Sequence, residues 1–242
     1  MKEKKLALPP PKQIAFRLLF YIGGQLLIAF GVRAAIMGGL GISPVSSPSR
    51  AIFHALSFHN LTMNGLITYG VCYTGVFLLY IILQILLLRR DFKVIHLFQM
   101  LVAMLFGFMI DFAGWCLDGL PAPRYYAMRL LLLAISILLI ALGVSFYMGS
   151  RLLPMPSEGI VQALAQKLKK YPFHRVKLGI DCGLVITATL IVLIFTGKLT
   201  DVREGTFFTA LCVGPVMGLL RPVIGPMMRR LCFGEQKGGQ TI

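Results

Sequence analysis

The residues able to do chemistry in this chain lie within or beside long apolar blocks. Lys177 and Asp181 are four apart, which puts them one turn from each other on one helix face. A carboxylate about two turns into an apolar helix is costly unless paired or wet, so Asp181 is a functional candidate. An internal ion pair that only holds helices together explains the same spacing, and both readings stand. Asp111 ends the run Phe106-Gly107-Phe108-Met109-Ile110. It suits a cap, a partner for Arg33, or an interfacial position. Arg33 falls near the end of its apolar block, where long basic side chains snorkel. Its functional reading is a cation facing an anion. Gln25, within that block, suits a helix–helix hydrogen bond.

Two segments interrupt the apolar pattern with proline and glycine. They are Gly38-Gly39-Leu40-Gly41-Ile42-Ser43-Pro44 and Leu153-Pro154-Met155-Pro156-Ser157-Glu158-Gly159. Non-helical backbone at membrane depth must be buried in protein or line a water-filled cavity. A helix start follows each break, and its free N–H groups and positive dipole end suit an anion. Ser46 and Ser47, or Ser157, are the capping candidates. The substrate-binding candidates are therefore Arg33, Ser43, Pro44, Ser46, Asp111, Pro156, Glu158, Lys177 and Asp181. Ordinary surface turns share this composition, so the bland reading stays open.

Other chemistry finds little support. His54, His59, His96 and His174 have no partner at metal spacing, and all fall near the ends of apolar blocks. Cys72, Cys116, Cys182, Cys212 and Cys232 are scattered without a CxxC, as small packing residues would be. There is no P-loop, no GxSxG and no Ser/His/Asp setting. The expectation is a chain that is not an enzyme and uses no cofactor or metal.

The elements that must position these residues are transmembrane helices. Apolar residues make up 57% and charged ones 14% of the 242 residues, with a net charge of +15. The mean hydropathy is +0.80. Soluble domains hold about 25% charged residues, so a soluble fold is excluded. A bilayer core of about 30 Å needs about 20 apolar residues per helix. Six blocks qualify: 14–38, 64–88, 94–117, 128–149, 175–197 and 205–228. The predicted fold class is all-α, a polytopic bundle of six spans, with short amphipathic helices over 45–58 and 157–170.

The basic residues gather at block ends, which points to a membrane and away from nucleic acid. With the N-terminus inside, one side collects Lys2, Lys4, Lys5, Lys12, Arg17, Arg89, Arg90, Lys93, Arg151, Lys167, Lys169, Lys170, Arg175, Lys177, Arg229, Arg230 and Lys237. The other holds only Arg50, Arg124, Arg129, Lys198 and Arg203. Cytoplasmic segments favour Lys and Arg, so both termini are expected in the cytoplasm of a bacterial inner membrane. The basic start and Pro9-Pro10-Pro11 imitate a signal peptide, but no clear small-x-small site follows.

The first block also has a relative later in the chain. Leu26-Leu27-Ile28-Ala29-Phe30-Gly31-Val32 matches Leu138-Leu139-Ile140-Ala141-Leu142-Gly143-Val144 at an offset of 112. The same offset carries Pro44 onto Pro156 and Ala51 onto Ala163. One gap aligns Met37-Gly38 with Met148-Gly149, and Gly107 falls near Gly218. Each half reads as three spans, an odd number, so the halves enter the membrane in opposite orientations. The expected organisation is a basic tail over 1–13, repeats over 14–119 and 127–230, and a second tail over 231–242. Inverted repeats with matching Gly/Pro breaks are the pattern of secondary transporters.

Several short motifs, in order, resemble the YczE/YitT-type family of bacterial membrane proteins, the YczE branch above all. They are Leu40-Gly41-Ile42-Ser43-Pro44, Leu61-Thr62-x-x-Gly65, Phe106-Gly107-x-x-Ile110-Asp111, Pro156-x-x-Gly159, Lys177-x-x-x-Asp181 and Gly205-Thr206-x-x-x-Ala210-Leu211-x-Val213-Gly214-Pro215. Glu204 and Asp181 depart from the pattern, where an apolar residue and Glu are usual. The resemblance implies an inner-membrane protein of six or so spans and names no solute. The functional expectation is a transporter of a small solute, an anion being one that the helix starts suit. The alternative is a membrane binding or regulatory subunit that needs a partner. The expected partners are the lipid bilayer and an unidentified solute, with no nucleic acid. A second copy or a partner subunit stays open.

Overall fold

The computed structural model describes residues 10–62, 65–89, 94–121, 123–168, 173–197 and 204–234. Tyr171-Pro172, which opens the segment Tyr171-Pro172-Phe173-His174 expected from the sequence to turn the chain into the fifth span, lies outside the described residues. So do Lys2, Lys4, Lys5, Pro9, Arg90, Lys93, Lys169, Lys170, Lys198, Arg203 and Lys237. Among the described residues there are eight α-helices and no strand. They are α1 (Pro11–Gly38), α2 (Ser47–Phe58), α3 (Tyr69–Leu88), α4 (Gln99–Leu117), α5 (Tyr126–Gly149), α6 (Pro156–Lys167), α7 (Phe173–Thr196) and α8 (Glu204–Phe233). All but α2 and α6 are long and apolar enough to cross a membrane.

Local chemistry sets most of the helix ends. Proline occupies the first helical turn of α1, α2 and α6, where its missing N–H costs nothing. Gly39 closes α1 in the left-handed conformation (φ 65°), its N–H bonded to the Ala35 and Ile36 carbonyls. Thr68 caps α3 by accepting from the Val71 N–H, which starts that helix at Tyr69 and not at residue 64. The last helix continues through Pro215, Pro222 and Pro226 to Phe233, beyond the expected end at 228.

Helices α1 and α5 form the spine, packed antiparallel along a seam of small residues. A Cβ at Gly24 would sit 2.6 Å from the Gly143 carbonyl oxygen. A Cβ at Gly31 would sit 3.1 Å from the Ser136 carbonyl oxygen and 2.8 Å from the Ile140 side chain. One at Gly143 would meet the Ile28 side chain at 2.7 Å. These contacts exchange under the sequence offset of 112. The pair Gly24–Gly143 maps onto Ser136–Gly31, and Gly31–Ile140 maps onto Gly143–Ile28. Small residues let helix backbones approach closely where lipid supplies no hydrophobic drive. The seam recurs every seven residues, as Gly24, Gly31 and Gly38 on α1 and Ser136 and Gly143 on α5.

The remaining packing follows the same exchange. Helix α2 packs on α7, and its counterpart α6 packs on α3. Helix α4 packs on α1, and α8 on α5. The halves are thus interlocked, each short helix lying against a span of the other half. One contact breaks the symmetry. The α3–α4 interface is broad, whereas α7 and α8 have no comparable contact among the described residues. Only 11% of the apolar window of α7 or α8 is buried, against 39% and 44% for α3 and α4.

Candidate functional site

Both Pro/Gly breaks are pinned by side chains or backbone from the other half. Around the first, the Gly205 N–H donates to the Leu40 carbonyl at 2.9 Å. The Ile42 N–H donates to Thr206 Oγ1 at 3.3 Å. Gly41, at φ 135°, lies directly against Thr206, so this position needs glycine twice over. Around the second, the Tyr21 hydroxyl donates to the Leu153 carbonyl at 3.0 Å. The Gln84 amide donates to the Pro156 carbonyl at 3.1 Å, and Gly159 packs against the same amide. The irregular backbone is satisfied inside protein, as membrane depth demands.

Beyond the first break, serine hydroxyls meet Tyr73 of α3. Ser43 Oγ lies 2.8 Å from Ser46 Oγ, and Ser46 Oγ lies 2.9 Å from the Tyr73 hydroxyl. Tyr73 is 2% exposed and packs edge-on to Tyr69, Phe77 and Phe106. From the other break, Glu158 accepts from Ser157 Oγ at 2.9 Å. Tyr21 and Tyr147 stand edge to face at 6.2 Å between ring centroids. Gln25 is fully buried one turn beyond Tyr21. Pro44 and Pro156 are both buried, and both lie shortly before these serines.

The remaining candidates lie elsewhere. Asp111 does not pair with Arg33. It accepts from the Gly70 N–H at 2.7 Å and from Thr68 Oγ1 at 2.5 Å, which fastens the start of α3 to α4. Arg33 is drawn into protein, its side chain 11% exposed. It donates to the Ile110 carbonyl at 3.2 Å and pairs with Asp118 at 3.5 Å. Its guanidinium lies against Gly114 and over the Tyr69 ring, 5.3 Å from the centroid. Lys177 and Asp181 pair at 3.4 Å, with Asp181 the more buried of the two.

The sequence pattern had not singled out Tyr21, Tyr73, Tyr147 or Gln84. The signal that could have found them is the run Tyr69, Tyr73, Phe77 and Tyr80, spaced along one face of an otherwise aliphatic helix. Among the described residues no three of His, Cys, Asp or Glu come together as a metal site would require.

Six apolar helices in an all-α bundle, with a satisfied irregular backbone inside it, define a multi-pass integral membrane protein. The chain belongs to a family of unknown function, DUF6198, whose model matches residues 15–222. No curated protein and no solved structure matches it.

Proposed function

We propose that this protein is a secondary transporter of a small solute, working by alternating access between its two inverted halves. One observation carries the reading. Two Pro/Gly breaks stand at equivalent places in the halves, and each is held by the other half, the first by Gly205 and Thr206 and the second by Tyr21 and Gln84. Transporter folds built on inverted repeats place their sites at such broken helices. The interlocked short helices would let one half rock against the other while the breaks stay fixed. Kinship with the YczE/YitT-type family, a bacterial inner membrane and cytoplasmic termini belong to the same proposal. The test is solute flux into proteoliposomes, screened against a metabolite pool. Uptake that saturates and needs the protein supports it, and no flux of any fraction rejects it.

A second reading draws on the sparse packing of α7 and α8. A binding subunit that awaits a partner, or a second copy, would leave two spans uncovered in this way. Such a protein would capture a solute yet carry none alone.

A further inference from the structure

Two arginines meet on one aromatic ring at an end of the bundle. The guanidinium carbon of Arg17, on α1, lies 4.1 Å from the ring centroid of Phe233, the last residue of α8. Arg151, just past the end of α5, approaches the same ring at 5.2 Å. The Gln13 side chain lies against Gly234, so the first turn of α1 closes this corner. Arg17 Nε donates to the Cys232 carbonyl at 3.0 Å, one of the carbonyls that the last turn of α8 leaves open. That bond occupies one nitrogen of one arginine. The η nitrogens of Arg17 and the whole guanidinium of Arg151 have no acceptor among the described residues.

Two like charges on one ring repel unless an anion joins them. None of the described acids does so. Glu158, the next acid along the chain from Arg151, bonds to Ser157. Asp181 pairs with Lys177. Glu235 lies outside the described residues. The opposite end of α1 makes the contrast: Arg33 also lies over a ring, that of Tyr69, and there the chain supplies Asp118 as its carboxylate. Arg151 moreover stands in the left-handed conformation (φ 52°), directly after Ser150 closes α5, where helices commonly take glycine. A residue with a long side chain is uncommon there. Arg17 is half-buried and Arg151 exposed, and both belong to the ends of long apolar helices, the depth of lipid phosphates. Lys12, Arg229 and Arg230, all exposed, lie toward the same end.

We propose that Arg17 and Arg151 together hold the phosphate of an anionic membrane lipid, with Phe233 as the surface that both arginines lie against. The planar guanidinium fork matches phosphate oxygens two at a time, and a ring beneath it leaves the edge of that fork free. Basic pockets between membrane spans bind phospholipid headgroups in this way. The lipid would fasten the end of the sparsely packed α8 to α1 and to the second Pro/Gly break, which begins shortly after Arg151. It does so whether or not the protein transports a solute.

The test uses the full chain in nanodiscs of two compositions, phosphatidylcholine alone and phosphatidylcholine mixed with phosphatidylglycerol. The anionic lipid should raise the melting temperature of the wild-type protein. Its affinity is read by titration into detergent-purified protein, with the bound lipid counted by native mass spectrometry. Arg151→Gln should weaken that affinity about fivefold or more and remove most of the thermal gain, the share of one Arg near an anionic surface. Arg124→Gln, an exposed arginine before the other end of α5, should keep both. Phosphatidylglycerol that stabilises no better than phosphatidylcholine overturns the proposal. So does an effect of Arg151→Gln no larger than that of Arg124→Gln. Equal loss from Arg151→Gln in both lipid mixtures would give the pair an anion within the chain and overturns it too. Inorganic phosphate that stabilises as well as phosphatidylglycerol would make this a site for the free ion and overturns the lipid assignment. If Arg151→Gln is not recovered folded, Phe233→Leu takes its place, since it removes the shared ring and neither charge. None of these readouts involves flux, so the lipid site and the transporter reading stand or fall separately.

Discussion

Ser46 and Glu158 occupy the same place in the two halves, each in the segment that opens a short helix and two residues beyond its proline. Ser46 bonds to the Tyr73 hydroxyl at 2.9 Å, whereas Glu158 accepts from Ser157 Oγ at 2.9 Å. One repeat position thus carries a hydroxyl in the first half and a carboxylate in the second. The surroundings of both depend on the seam between α1 and α5, since Tyr21, which holds the second break through Leu153, comes from α1.

The seam should therefore be the most substitution-sensitive surface of the fold. At Gly24 an added Cβ meets backbone at 2.6 Å and 2.7 Å, which no side-chain movement can relieve. Its neighbour Gly23 has open space around it. Gly24→Ala should cost about 1–3 kcal/mol, the range of overpacked cores, whereas Gly23→Ala should be neutral or mildly stabilising. Thermal unfolding of the two variants in the same detergent checks the difference. Equal effects would mean that α1 and α5 do not touch at this point.

The start of α3 gives a second contrast. Asp111 holds two hydrogen bonds there, to Gly70 and Thr68, and hydrogen bonds to a charged group are worth about 1.5–3 kcal/mol each. Asp111→Ala should destabilise by several kcal/mol, and Asp111→Asn, which keeps one acceptor, by less. Flux by the surviving folded fraction should be unchanged, because Asp111 stands apart from the two breaks. A selective loss of flux would show that Asp111 belongs to the site.

Arg33 offers a third. Its partner Asp118 has a side chain 64% exposed, and exposed ion pairs contribute about 0–1 kcal/mol. Asp118→Asn should thus be nearly silent in a melting experiment. Gly114→Ala should not be, because a Cβ there overlaps the Arg33 guanidinium and displaces it from the Ile110 carbonyl. The order of the two effects is the measurement. A larger loss from Asp118→Asn would identify the ion pair, and not the packing, as what holds Arg33.

Much of this architecture was legible in the sequence. The six apolar blocks became six long helices, and the offset of 112 became an exchange of contacts across α1 and α5. The breaks were visible as proline and glycine because special backbone conformations demand those residues. Two ends were misplaced for physical reasons. Apolar residues after 64 suggested helix, but Gly65 turns at φ 68° and Thr68 caps the chain just before Tyr69. The sixth apolar block stops at 228, yet α8 carries three prolines and runs on to Phe233. The way each break is held by the other half was not legible, because it depends on α2 lying against α7 and α6 against α3. No local spacing encodes which span a short helix will choose.

Orientation is testable by itself. We propose, from the excess of Lys and Arg on one side, that both termini lie in the cytoplasm. A reporter fused after Gly239 should be active only as a cytoplasmic fusion. Activity of an outer-compartment reporter at that point would sink the assignment, and the two breaks would then exchange sides.

The last prediction concerns Asp181. Its carboxylate lies two turns into α7, paired with Lys177 at 3.4 Å, and only 16% of its side chain is exposed. A carboxylate facing lipid at that depth would cost several kcal/mol, which accounts for its inward position. If α7 moves during transport, this pair must break or travel with it. Asp181→Asn should then lower flux more than it lowers the amount of folded protein in the membrane. Lys177→Met should do the opposite, since it strands a buried carboxylate and costs stability first. Both quantities can be read from one reconstitution, by uptake and by the monodisperse fraction. Parallel loss of flux and folded protein in Asp181→Asn would reduce the pair to a structural tie.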